Sequence, residues 1–285
     1  MAWLWEPLQF EFMRNAATVG VLMAILAAVV GTYVVVQQLS IIGTVIAHAV
    51  LPGLSVATFL GVSLTAGALV TGILSAFAVA VIRDRSSIKT DAAMAFTLAS
   101  FTALGIIAIS ALGTDRVDLD DILFGNILGV TVGDIKQTAA VTAAVLACAY
   151  LFRNELLFYS FDPLGARASG LPVRWLYFGF IIAVALAVIT TMQIAGVLLV
   201  TSLLIGPPIT AYLLVRELYR MMLLAAAIGV TTSTSGLYLS YYFDLPSGAA
   251  IATVTFAAFG VAFLLATERQ RAIAPRPGRS SNSPD

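Results

Sequence analysis

The chain has little of what a soluble enzyme relies on. Its 285 residues include one histidine, one cysteine and 11% charged side chains, with acids and bases balanced at 15 each. Soluble domains carry about 25% charged residues, so a water-facing globule is excluded. The lone Cys148 can form neither an internal disulfide nor a thiolate metal cage, and reads as a small apolar residue within a span. A formal net charge of zero removes any polybasic case for nucleic acid. No Gly-x-x-x-x-Gly-Lys-Ser/Thr loop occurs, so ATP hydrolysis by that route is absent from this chain. The amino terminus lacks the basic n-region and cleavage site of a signal peptide, and Trp3 and Trp5 read as interfacial anchors.

What fills the chain instead is apolar surface, 60% of residues, arranged in charge-free windows at 15–82, 92–114, 137–152, 175–215, 221–243 and 245–267. A crossing helix needs about 20 apolar residues. The windows therefore predict an all-α polytopic membrane protein of eight or nine transmembrane helices. With nine, the spans fall near 16–37, 40–58, 62–82, 92–112, 135–152, 175–193, 195–215, 221–241 and 246–266. The alternative is eight spans and a re-entrant segment. Residues 1–267 make one transmembrane domain, and the Pro/Arg/Ser-rich 268–285 reads as a disordered cytoplasmic tail. Basic residues collect in three loops (Arg83, Arg85 and Lys89; Arg153, Arg167 and Arg174; Arg216 and Arg220) and in the tail, which places these inside. The acidic loop at 115–121 and Asp244 fall outside, as does the amino terminus when there are nine spans.

Within the longest charge-free window lies the only histidine. On a helix Thr44, His48 and Pro52 share one face, while Gly43 and Ala47 make a small face open to close helix approach. An ionisable group at membrane depth is costly and points to function; the alternative is a hydrogen-bonded core histidine. Residues 118–134 are too short to span, and Gly125, Gly129 and Gly133 recur at i+4. They read either as a re-entrant half-helix bringing Asn126 beside a pathway, or as an external loop helix. In the 153–174 loop Asp162 is placed to cap a short helix, with Pro163 at its first position and Gly170 ending it. So short a helix is stable only when packed on something, whether a partner or the chain's own spans. In the 175–215 pair, Gln193 is polar within a span, and Pro207 and Pro208 free carbonyls that either line a pathway or only shape the helix.

Gly43-x-x-x-Ala47-His48-Ala49-Val50-Leu51-Pro52-Gly53 closely resembles the membrane permease subunit of metal-ion ABC importers of the manganese, zinc and iron class. Leu123-Phe124-Gly125-Asn126-Ile127-Leu128, the Phe161-Asp162 loop and Tyr238–Ala250 resemble the same family, in its order, over roughly residues 8–266. Where that family carries an Asp one turn before its His, this chain has Thr44. The resemblance implies a non-enzymatic transport subunit of the bacterial cytoplasmic (inner) membrane that works as a homodimer. It implies a separate ATP-binding subunit docked at Phe161, Asp162, Ala166 and Gly170, and an extracytoplasmic metal-binding protein that delivers the ion. His48 is then the metal-pathway ligand with Thr44 beside it, and Asn126, Gln193 and Pro207 are lining candidates. The cargo is a divalent metal ion, with no permanently bound cofactor. Manganese comes first, because no further His or Cys is present and Val200–Leu204 looks like the manganese members; zinc and ferrous iron stay open. Two other classes compete: an ion-coupled secondary transporter, which lacks its intramembrane carboxylates here, and an intramembrane protease pairing His48 with a serine such as Ser235.

Overall fold

The computed structural model describes residues 6–113 and 125–273. Trp3, Trp5 and residues 118–124 of the glycine-rich stretch therefore lie outside the described residues. Within them every regular element is helical, as the bilayer demands of any open chain that must satisfy its own backbone groups. The helices are α1 (Glu11–Val36), α2 (Ile42–Ala49), α3 (Leu51–Leu60), α4 (Leu64–Arg85), α5 (Thr90–Leu112), α6 (Val132–Leu151), α7 (Arg153–Phe161), α8 (Pro163–Ala168), α9 (Val173–Leu214), α10 (Leu218–Phe243) and α11 (Ser247–Ile273). α2 and α3 together make one crossing, and α6 meets α7 at a bend of 72°. α11 runs on to Ile273, past the domain boundary at 267, and residues 274–285 lie outside the described residues.

The 42-residue α9 would be about 63 Å long if straight, twice what a bilayer needs. It is not straight. Gly196 stands at φ 73°, ψ 165°, a conformation essentially reserved for glycine. On either side of it, Val188 and Leu204 both lie against the same residue, Gly43, and both line one small cavity with Met23, Leu26 and Ala27. In a continuous helix those two residues would be about 24 Å apart. The chain therefore reverses at Gly196, and α9 is a helical hairpin with arms 173–195 and 197–214. Counting its arms separately, and α6 as a crossing, gives nine crossings among the described residues.

Contacts at the two faces fit this alternation. Gln37 after α1 donates to Ser160 in α7 (3.2 Å), and Arg83 at the end of α4 sits over the Tyr177 ring at the start of α9 (5.0 Å). These are the ends with the basic loops, which the positive-inside rule assigns to the cytoplasm. At the other face, the outer one by the same rule, Thr65 donates to Gln193 (3.2 Å), and the Asn126 N–H donates to the Ile194 carbonyl (3.0 Å), so the hairpin tip lies at the end opposite the basic loops. α1, α2–α3 and the α9 hairpin are mostly buried, whereas α5 and α11 expose most of their apolar surface, as lipid-facing helices do.

Close backbone approaches set this packing. Gly53 and Gly67 cross so tightly that a Cβ on either would overlap the other's carbonyl oxygen. Pro208 has no N–H to offer the Leu204 carbonyl, and that oxygen instead rests against Gly31 of α1. The carbonyl freed by the proline is thus consumed by helix packing. The glycine repeat at 125–133 also behaves differently from the half-helix expected. Gly125 is left-handed against Ala195 and Gly196, Gly129 ends a 3-10 turn (Ile127–Gly129), and Gly133 belongs to α6. The segment Gly125–Thr131 is a strap over the hairpin tip, because its glycines serve three separate conformational needs.

Candidate functional sites along the bundle

α2 is buried on almost every face. Gly43 packs on Leu204 and Val188, the small-face contact expected, and Val45, Ile46, Ala47, Ala49 and Val50 are fully buried. Thr44, His48 and Pro52 are the exceptions, half-buried in a single row along α2 and α3. Beneath this row Leu51 and Pro52 lie against Gly105 of α5, so α5 seals one flank. Neither the Thr44 hydroxyl nor the His48 imidazole hydrogen-bonds to a described residue. A half-open imidazole with no partner among the described residues is open to water, an ion or the same face of a second copy. Among the described residues no cluster of three His, Cys, Asp or Glu exists, so a tight single-chain metal cage is absent.

A second polar feature lies at the outer face, where Asn126 and Gln193 come together. They line a pocket of about 140 Å³ with Asp134, Gln137 and Thr190. α6 begins here with a reciprocal cap. The Asp134 carboxylate accepts from the Thr131 N–H (2.9 Å) and hydroxyl (2.7 Å), and the Thr131 oxygen accepts from the Asp134 N–H. Asn126 accepts from the Gly129 N–H through its side chain (3.1 Å). Pro207 is not part of this group; it is buried, its ring facing Gly229 of α10. Asp134, Gln137 and Thr190 escaped the sequence reading. The Thr131-x-x-Asp134 box and the i+3 spacing of Thr190 and Gln193 were visible, but nothing local says that 126–137 folds onto 190–194.

The cytoplasmic face has another character. Asp162 caps α8 by accepting from the Gly165 N–H (2.8 Å), Pro163 opens it, and Gly170 follows at φ 83°, which only glycine adopts freely. Ala166 is fully buried and anchors the helix, while Phe161 and Leu164 stand 61% and 79% exposed. Behind them Tyr159 is buried, and that burial pushes its phenol upward, partly opposed by Arg83 and Arg167 nearby. Nη1 of Arg83 and the Tyr177 hydroxyl are buried without hydrogen-bond partners among the described residues.

Comparison with known proteins places this arrangement. The profile of the ABC 3 transport family matches residues 9–266. A probable iron transport system membrane protein of Haemophilus influenzae is 38% identical over 269 residues, 94% of this chain and 99% of its own length. The manganese transport system membrane protein MntC of Listeria monocytogenes is 36% identical over 269 residues, covering 94% and 96%. Among solved structures, PsaBC from Streptococcus pneumoniae in complex with Fab aligns with a TM-score of 0.83 at 36% identity, covering 94% of this chain and 97% of that one.

Proposed function

Because the chain belongs to the ABC 3 transport family, we propose that it is the permease of an ATP-driven importer of divalent transition metal ions, with Mn2+ its first cargo and Fe2+ next. Relatives whose names specify manganese or iron support a cargo of this class, with zinc still open. Family membership leaves no place for the secondary-transporter and protease alternatives. One observation carries the assignment of the pathway: in an otherwise sealed central helix, the only face left open is the row Thr44–His48–Pro52. A neutral imidazole accepts Mn2+, Fe2+ and Zn2+ alike, and a neutral hydroxyl in place of a carboxylate keeps the hold weak. Weak coordination suits a carrier that must release. Two copies related by a two-fold axis would bring two such rows together and so complete a site that one chain leaves half-formed.

Energy enters from a separate ATP-binding subunit, since this chain has no phosphate loop. Phe161 and Leu164, apolar and exposed on a pre-capped cytoplasmic helix, supply the docking surface. High-affinity capture belongs to an extracytoplasmic binding protein. The test is accumulation of radiolabelled Mn2+, Fe2+ and Zn2+ in cells expressing the complete complex. His48→Ala should lower uptake at least about tenfold, the loss of roughly 1.4 kcal/mol or more of ion stabilisation, with normal membrane insertion. Full uptake by that variant removes His48 from the pathway.

A further inference from the structure

We infer that the outer pocket is a second, oxygen-only cation site, which receives a hard divalent ion of the Mn2+ class before it reaches His48. This rests on the import reading above and adds its point of entry. Among the described residues the pocket's lining includes one carboxylate, Asp134, and no lysine, arginine or histidine. Oδ2 of Asp134 is held by Thr131, which fixes the carboxylate in orientation, and Oδ1 has no partner among the described residues. The Gln137 side chain likewise makes no hydrogen bond to a described residue. Asn126 and Gln193 each use one lone pair of the side-chain oxygen, toward the Gly129 N–H and the Thr65 hydroxyl, and keep another.

Thr190 is the independent observation. It is only 5% exposed, lines the pocket, and its hydroxyl has no partner among the described residues. Helical threonines at depth normally bond back to a carbonyl one turn earlier, as Thr191 does to Ala187 (2.6 Å) and Thr210 to Gly206 (2.7 Å). Thr190 does not, nor do Thr138 and Thr142 of α6, but of the three only Thr190 lines the pocket, where its hydroxyl is open to a ligand. The volume, about 140 Å³, holds roughly four or five waters at about 30 Å³ each, enough for a partly hydrated ion.

The donor set decides the ion. Carboxylate, amide and hydroxyl oxygens suit Mn2+ and other hard cations, whereas Zn2+ prefers the nitrogen and sulfur ligands this pocket lacks. The positive end of the α6 dipole opposes a cation and is offset by Asp134, so binding is weak. Weakness is what a hand-over site requires. Thr65 of α4 donates to Gln193 of the pocket, and α4 also crosses α3 at Gly67–Gly53, on the same crossing helix as His48.

The experiment titrates Mn2+ alone into the purified full chain in lipid nanodiscs and reads electron spin echo modulation from imidazole nitrogen. His48→Ala should still bind Mn2+, now without that modulation. Adding Asp134→Asn, which retains an oxygen for the Thr131 cap, should weaken the remaining site at least about tenfold, and Thr190→Val, remote from the cap, about threefold. A His48→Ala chain that binds no Mn2+, or Asp134→Asn and Thr190→Val chains that bind it as tightly as His48→Ala alone, would overturn the pocket. Failure of the import reading looks different: the complete complex would accumulate no metal, whatever the pocket binds.

Discussion

Among the described residues, Asp134, Gln137 and Thr190 at the outer face keep oxygen atoms with no donor, and Arg83 and Tyr177 at the cytoplasmic face keep buried donors with no acceptor, beside exposed Phe161 and Leu164. The two ends of one bundle thus carry opposite imbalances. The first suits a small cation, which supplies charge without covering much surface. The second suits a protein, which covers the apolar side chains of Phe161 and Leu164. Each end is also held by a left-handed glycine, Gly196 outside and Gly170 inside, so the contrast can be broken at either end by a single change.

The largest effect is expected inside. Proline at position 170 cannot take φ 83° and loses the N–H that donates to the Arg167 carbonyl (3.2 Å). Gly170→Pro should abolish co-purification of the ATP-binding subunit, while insertion and Mn2+ binding by the isolated chain are retained. Unchanged recovery of the complex would detach the α8 loop from docking. Outside, Gly196→Ala places a Cβ in a glycine-only conformation and costs about 1–3 kcal/mol. Thermal unfolding in detergent should shift downward, and the polar pocket should lose Mn2+ because the Gly125 strap rests on this tip. An unshifted melt would mean that the hairpin bends elsewhere. The smallest effect sits between the two ends. Thr44→Asp adds a carboxylate one turn from His48 and should tighten Mn2+ binding about tenfold by calorimetry, of order 1.4 kcal/mol. Heat curves superimposing on the unmodified chain would place residue 44 away from the ion.

The sequence was most legible where physics is local. Gaps between charges located the crossings, including the pair in 175–215, because burying a charge in lipid is costly wherever the chain goes. Asp162, Pro163 and Gly170 announced a capped helix since each acts within one turn. The row Thr44–His48–Pro52 followed from helical spacing alone. What stayed hidden depended on distant segments. Pro207 and Pro208 were correctly expected to free carbonyls, yet only the fold shows the Leu204 oxygen resting on Gly31, 173 positions earlier. The identical spacing of Gly125, Gly129 and Gly133 suggested a shared role, whereas the hairpin tip demanded φ > 0 of the first alone. The outer pocket needed 126–137 and 190–194 to meet, and no periodicity carries that information.

The Gly53–Gly67 crossing has a consequence for how wide the central row can stand open. With no side chain on either glycine, the two helices rest there on backbone atoms that cannot be trimmed further. That contact is a mechanical stop: α3 can be pushed outward by any added methyl group but cannot be drawn further in. How close α4 can come to the crossing helix that carries His48 is therefore set by backbone, and how far it can move away is left to the neighbours that surround the protein in use.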